Sequence, residues 1–162
     1  MEQLPLQICY IDTPLGHAKI SGNENGIVSV SIIDFQEELS RTIPESLLDC
    51  VIQLREYFYE KRKTFDLKLN PEGTTFQKKV WKQLEAIPFG KSISYLELSK
   101  QLGDVKAIRA AASANGKNPL WIIVPCHRVI GSDGSLTGYA GGLHRKQWLL
   151  NHESEYKQQS LF

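Results

Sequence analysis

Residues 94–118 read SYLELSKQLGDVKAIRAAASANGKN. Ser94 to Leu102 has helical composition and spacing, Gly103-Asp104 breaks it, and residues 105–114 resume as a second short helix. Helix, tight turn, helix is the outline of a helix-turn-helix. The second helix is unusual for a reader of base edges. VKAIRAAASA offers only Lys106 and Arg109 as long polar side chains, where a recognition helix normally presents several hydrogen-bonding groups. Small residues let a backbone approach another surface closely, but Ala is also the best helix former, so a tightly packed core helix fits the same letters.

Downstream, Asn115-Gly116-Lys117-Asn118-Pro119 ends the helix, and the apolar run 120–124 reads as a buried strand. That run leads into IIVPCHRVI, residues 122–130, with a thiol, an imidazole and a guanidinium adjacent at Cys126, His127 and Arg128. Next comes GSDGSLTGYAGG, residues 131–142, a glycine-rich loop without Walker A or dinucleotide spacing. It suits a pocket wall whose backbone comes close to a ligand. A final helix is expected over 143–152, with Trp148, Leu149 and Leu150 inward.

Upstream, Thr74 and Gln77 have capping-box spacing, and Phe76, Val80, Trp81 and Leu84 follow at helical intervals. Asn70-Pro71-Glu72-Gly73 is a linker signal. Before it, LQICYID, HAKISG and GIVSVSII read as strands, with a hairpin turn at residues 23–26. Residues 44–62 read as a helix with a broad apolar face of Leu47, Leu48, Val51, Ile52, Leu54, Tyr57 and Phe58. FDLKL, residues 65–69, is expected as another short strand.

Composition bounds the function. The 162 residues suffice for one compact domain or two small lobes, and no apolar run approaches the ~20 residues of a membrane span. MEQLPLQICYIDTPLG lacks the basic and apolar regions of a signal peptide, so a cytoplasmic location is expected. Cys9, Cys50 and Cys126 form neither a disulfide framework nor a zinc pair, and no metal is expected. Cys9 and Cys50 read as small buried hydrophobes. Residues 1–73 carry 7 Lys+Arg and 12 Asp+Glu, a net of −5; residues 74–162 carry 12 and 6, a net of +6. A basic second half suits a polyanion partner, although scattered solvated charge gives the same sums.

A cysteine becomes a strong nucleophile when a base or cation favours its thiolate. Adjacent residues on a strand face opposite sides, so Cys126 and His127 cooperate only if the backbone turns or a water bridges them. Pro125 makes such a departure plausible. A histidine base needs an orienting acid, and Glu153 and Asp133 both qualify by sequence. A Cys-His pair alone is equally consistent with a buried structural thiol.

More context resolves the choice. GTTFQKKVW, IPFGKSISY, AIRAAASANGKNP, IIVPCHRVIGSDGSLTGYAGG and KQWLLNHE occur in order over residues 73–153. In these blocks the chain resembles the O6-alkylguanine-DNA alkyltransferases, also called methylated-DNA–protein-cysteine methyltransferases. The resemblance implies an α/β protein: a small ribonuclease-H-like N-terminal lobe (1–70), and a mainly helical DNA-binding and alkyl-acceptor lobe (73–155) with helix-turn-helix and active-site loop. A tail, 156–162, follows.

It also implies roles. Cys126 accepts the alkyl group, His127 acts through a water as base, and Glu153 holds His127. The damaged base is flipped out of double-stranded DNA from the minor groove. Arg109 fills the vacated stack, Ala110, Ala111 and Ala114 lie against the groove, and Lys106 and Arg128 add DNA contacts. Tyr95 rotates the nucleotide and donates a proton to the departing guanine. Asn118 is the hinge, and Val129, Tyr139 and Ala140 line the base pocket. The expected reaction is single-turnover repair of O6-alkylguanine, with O4-alkylthymine as a second lesion, by a monomer without cofactor.

Ala140 stands where many relatives carry Ser, Thr75 where many carry Pro, and the zinc ligands of some first lobes are absent. Residues 158–162, QQSLF, are similar to peptides that dock on the bacterial replication sliding clamp, which would engage Gln158, Leu161 and Phe162. Competing readings are a non-catalytic recognition protein for alkylated bases, a transcription regulator and a cysteine hydrolase.

Overall fold

The computed structural model describes residues 4–35, 37–134, 136, 139 and 141–159, with side chains of the last helix described through residue 154. Its chain forms two compact units, Met1–Glu72 with Pro119–Trp121, and Gly73–Asn118 with Ile122–Phe162. The first is a small sheet with one helix; the second is mainly helical. No helix among the described residues is long and apolar enough to cross a membrane.

In the first unit β1 (Gln7–Thr13), β2 (Gly16–Asn23) and β3 (Gly26–Ile32) form an antiparallel meander. Alternation decides which side of β1 is core: Cys9, Ile11 and Thr13 are buried while Ile8 and Asp12 are exposed. The β2–β3 turn is Glu24-Asn25, where Asn23 Oδ1 accepts from Asn25 N at 2.8 Å. Both sheet edges are covered. On β1, Tyr10 N donates to Ser40 Oγ, and its carbonyl accepts from Ser40 N. On β3, Ile27 makes a parallel bridge to Leu69 and Val30 another to Leu120.

Helix α1 (Glu45–Tyr59) lays Leu47, Cys50, Val51, Leu54, Tyr57 and Phe58 into this core. Its buried face is narrower than expected, since Leu48 and Ile52 are exposed. The anticipated strand at 65–69 shrinks to the single bridge at Leu69. The reason is Gln53, whose amide donates to Asp66 O at 2.9 Å and accepts from Asp66 N at 2.8 Å. A side chain thereby takes the backbone groups a neighbouring strand would have used.

In the second unit the capping box at Thr74 and Gln77 opens α2 (Thr75–Leu84). Val80, Trp81 and Leu84 are buried, and Trp81 Nε1 donates to Ala114 O at 2.8 Å. Ser94 caps α3 (Tyr95–Gln101), accepting from Glu97 N. The turn after it uses Gly103 at φ +89, then Asp104 caps the 3-10 segment Val105–Ala107, which runs into α4 (Ile108–Gly116). A short parallel pair, β4 (Ile93–Ser94) and β5 (Val129–Ile130), ties the start of α3 to the residues after Cys126. The last helix, α5 (Leu143–Gln159), is longer than expected; Leu149 is buried, while Trp148 and Leu150 are half-buried.

Residues 120–124 are buried but are not a strand. They form a turn with Ile122 at φ +71. A β-branched residue rarely adopts that conformation, which costs on the order of 1–3 kcal/mol.

Candidate active site

The turn continues through Pro125, and Cys126–Arg128 is one 3-10 turn. Arg128 N donates to Pro125 O at 3.0 Å. A 3-10 turn spreads successive side chains about 120° apart instead of the 180° of a strand. So the backbone departure that Pro125 suggested is present, and Cys126 and His127 do not face opposite sides. Cys126 is 7% exposed, and His127 is fully buried.

His127 Nε2 lies 2.7 Å from Glu153 Oε2 on α5. Arg128 grips the same carboxylate twice, Nε to Oε1 at 2.8 Å and Nη2 to Oε2 at 3.1 Å, and donates from Nη1 to Ile87 O at 2.7 Å. Gly90 N adds a longer bond to Oε1 at 3.4 Å. Burial by itself would raise the Glu153 carboxyl, but His127 and Arg128 outweigh it and hold the group well below the usual carboxylate range. Burial pulls the His127 imidazole down, against the opposing pull of Glu153. Arg128 decides the matter: its permanent charge neutralises Glu153, so the resting imidazole is neutral. The carboxylate can only accept, so Nε2 carries the ring proton. Nδ1 then keeps its lone pair, and it makes no hydrogen bond to a described residue.

Burial also pushes the Cys126 thiol up, opposed by a hydrogen bond from Asn118 and by the charge of Lys146. Asn118 donates from Nδ2 to Val124 O at 2.7 Å, and Asn115 from Nδ2 to Cys126 O at 3.4 Å, so the end of α4 and the residues after it brace the turn. Val129 is fully buried in β5, and Tyr139 is buried in the loop before α5. Tyr95 opens α3.

Two groups sit differently from expectation. Arg128 is 5% exposed and turned inward onto Glu153, so it is no DNA contact. Ala111 and Ala114 are buried, not on the outer face of α4. The spacing 111, 114, 115 is one helix stripe, and it packs inward with Asn115. The outward face carries Arg109, Ala110 and Ser113, with Lys106 and Lys117 exposed beside it. Lys146 was missed altogether, since one lysine in HRKQW looks like ordinary helix surface. Ala140 and the docking side chains of Gln158, Leu161 and Phe162 lie outside the described residues. Among the described residues no group of His, Cys, Asp and Glu could hold a metal.

A buried thiol beside a base-acid pair, in a lobe with a helix-turn-helix, defines a nucleophilic cysteine site on a DNA-binding architecture. The family described as "6-O-methylguanine DNA methyltransferase, DNA binding domain" matches residues 75–155, and its "ribonuclease-like domain" matches residues 8–71. A methylated-DNA–protein-cysteine methyltransferase of Methanosarcina barkeri is 44% identical over 150 residues, covering 88% of this chain and 94% of that one. The crystal structure of the Mycobacterium tuberculosis O6-methylguanine methyltransferase is similar at TM-score 0.83 and 41% identity, covering 93% and 94% of the two chains. A structure of the M. tuberculosis protein in complex with DNA is similar at TM-score 0.82 and 42% identity, covering 90% and 91%. The chain belongs to the 6-O-methylguanine DNA methyltransferase family.

Proposed function

We propose that this protein repairs DNA by moving the alkyl group of O6-alkylguanine onto Cys126 once per molecule. The observation that carries this is the buried Cys126 turn, with His127 held from behind by Glu153 and its Nδ1 left basic. His127 takes the thiol proton, through one water where the gap requires it. The thiolate attacks the alkyl carbon in line. A carbon–sulfur bond forms, the carbon–O6 bond breaks, and its electron pair stays on the guanine, which Tyr95 protonates. The thioether product has no easy leaving group, so the protein is consumed.

DNA is the partner, as the relative bound to DNA suggests. The outward face of α4 enters the minor groove with Ala110 and Ser113 at close approach and Lys106 on the phosphates. Arg109 occupies the space of the flipped base, and Val129, Tyr139 and Ala140 surround the extruded one. Asn118 links this helix to the Cys126 turn. Residues 1–70 and 73–155 act as the two domains, and the protein works as a cytoplasmic monomer: every residue of the acceptor site comes from one unit. Residues 156–162 are a docking tail for the replication sliding clamp. Pull-down of purified clamp, lost on deleting residues 158–162, supports the tail's role; equal capture without them refutes it.

The main test is label transfer from a duplex carrying one O6-[methyl-³H]guanine, followed by mass analysis of the Cys126 peptide. One methyl per protein, absent in Cys126→Ser, is expected. Binding to the duplex without transfer would leave only damage recognition.

A further inference from the structure

Asn115 is 1% exposed and lies on the inward stripe of α4 with Ala111 and Ala114. Its Nδ2 donates to Cys126 O at 3.4 Å. That carbonyl belongs to the peptide that joins the nucleophile to its base. The contact also fixes which way the amide points, because a flipped side chain would set Oδ1 against the carbonyl oxygen. Oδ1 is then buried with no hydrogen-bond partner among the described residues. A buried acceptor left unmet destabilises a fold, and an apolar side chain of similar shape avoids that loss. Nor does Cys126 O depend on Asn115, since it also accepts from Val129 N. For stability alone, Asn115 is a poor choice.

For orientation it is a good one. The bonds inside the acceptor turn are local: Cys126 N donates to Val124 O at 2.8 Å, and Arg128 N to Pro125 O at 3.0 Å. They set the turn's shape and leave its tilt to longer ties. From α5, Glu153 holds His127 and Arg128. From the end of α4, Asn118 holds Val124 O ahead of Pro125, and Asn115 holds Cys126 O behind it. Helix α4 is itself pinned one residue earlier, where Ala114 O accepts from Trp81 Nε1 at 2.8 Å. We propose that Asn115 is a positioning residue of the transfer reaction, holding the Cys126–His127 peptide against α4 and so aiming the thiol at the alkyl carbon with His127 in reach. This rests on Cys126 being the acceptor. Asn115 acts through the backbone and exchanges no proton. The thiol proton still goes to His127, and sulfur still gains the alkyl carbon.

The test compares full-length wild type, Asn115→Leu and Asn115→Ala in three measurements: urea midpoint, Kd for the O6-methylguanine duplex, and methyl-transfer rate per folded molecule at saturating duplex. A positioning role separates them. Asn115→Leu removes the unmet acceptor, so its urea midpoint should equal or exceed that of the wild type. Duplex binding should hold to within about twofold, while the saturated rate falls about tenfold, the scale of a sub-ångström misplacement of reacting groups. If Asn115→Leu does not fold, Asn115→Ala, which only extends the stripe of Ala111 and Ala114, decides. A saturated rate within about twofold of the wild type overturns the proposal. So does a rate loss matched by an equal loss of duplex binding, which would place the defect in DNA docking. No transfer by the wild type sinks the repair reading instead. Capture of Cys126 by iodoacetamide, read by peptide mass, then decides on Asn115: slower capture in the variants supports the held peptide, and equal capture overturns it.

Discussion

Replacing Glu153 by Gln tests the heart of the site. The carboxylate accepts from His127 at 2.7 Å and from Arg128 at 2.8 and 3.1 Å, all buried. An amide has one acceptor oxygen, so its NH₂ must face either the guanidinium or the Nε2–H. Arg128 keeps Ile87 O but loses its counter-charge. Breaking a buried pair from one side costs about 3–5 kcal/mol, a large share of the roughly 5–15 kcal/mol that holds a domain. Arg128→Met combined with Glu153→Gln removes both charges, and the double variant should lose only about 1–3 kcal/mol, the cost of an imperfectly satisfied His127. Urea unfolding at unchanged m-value measures both. Methyl transfer should not follow stability. With the base unheld, both variants should slow by about 10²–10⁴. The reasoning is refuted if the double variant loses as much stability as Glu153→Gln to within about 0.5 kcal/mol, or if Glu153→Gln transfers methyl within about threefold of the wild type.

Four further outcomes are expected. Because the Glu153 carboxyl is held below its unfolded value, its contribution is full above about pH 4.3 and is lost as pH falls further; Glu153→Gln should flatten that acid limb in pH-dependent urea midpoints. Burial pushes the Cys9 thiol up to about 11 and the Cys50 thiol up to about 12, so their contribution is present below about pH 9 and fades as pH rises through those values. Alkaline unfolding of the Cys9→Ala and Cys50→Ala variants should be correspondingly flatter. Gly73→Ala would set a Cβ 2.5 Å from Trp81, whose indole is tied to Ala114 O, so thermal unfolding should register a loss of about 1–3 kcal/mol. Arg109→Ala should slow transfer from an intact duplex about tenfold more than from O6-methylguanine opposite an abasic gap, where the stack is already open.

Much of the architecture was legible because it is local. Alternation in Cys9, Ile11 and Thr13, the capping box at Thr74 and Gln77, and the Gly103 turn each announce themselves within a few residues. Glu153 was one of two candidate acids, and the choice needed α5 to be folded beside the Cys126 turn. What stayed hidden depends on distant partners. Arg128 looks like a free cation until a carboxylate 25 residues away claims it. Residues 120–124 have strand composition, but Ile122 at φ +71 bends them into a turn. The inward stripe of Ala111, Ala114 and Asn115 follows helical spacing, but alanine suits a packed face and a closely approached outer face equally, so composition does not say which way it points.

One feature of the first unit bears on how the chain is made. Val30 N donates to Pro119 O, Trp121 N donates back to Val30 O, and the Trp121 ring lies 6.1 Å from that of Phe58. The strand edge and the aromatic cover thus arrive long after the linker at residues 70–73 has left the ribosome. A nascent chain emerges N-terminus first, so the N-terminal sheet must wait, with Val30's backbone groups bare to water, until Gly73–Asn118 of the second unit has been synthesised. Cutting the gene at that linker would make the wait permanent.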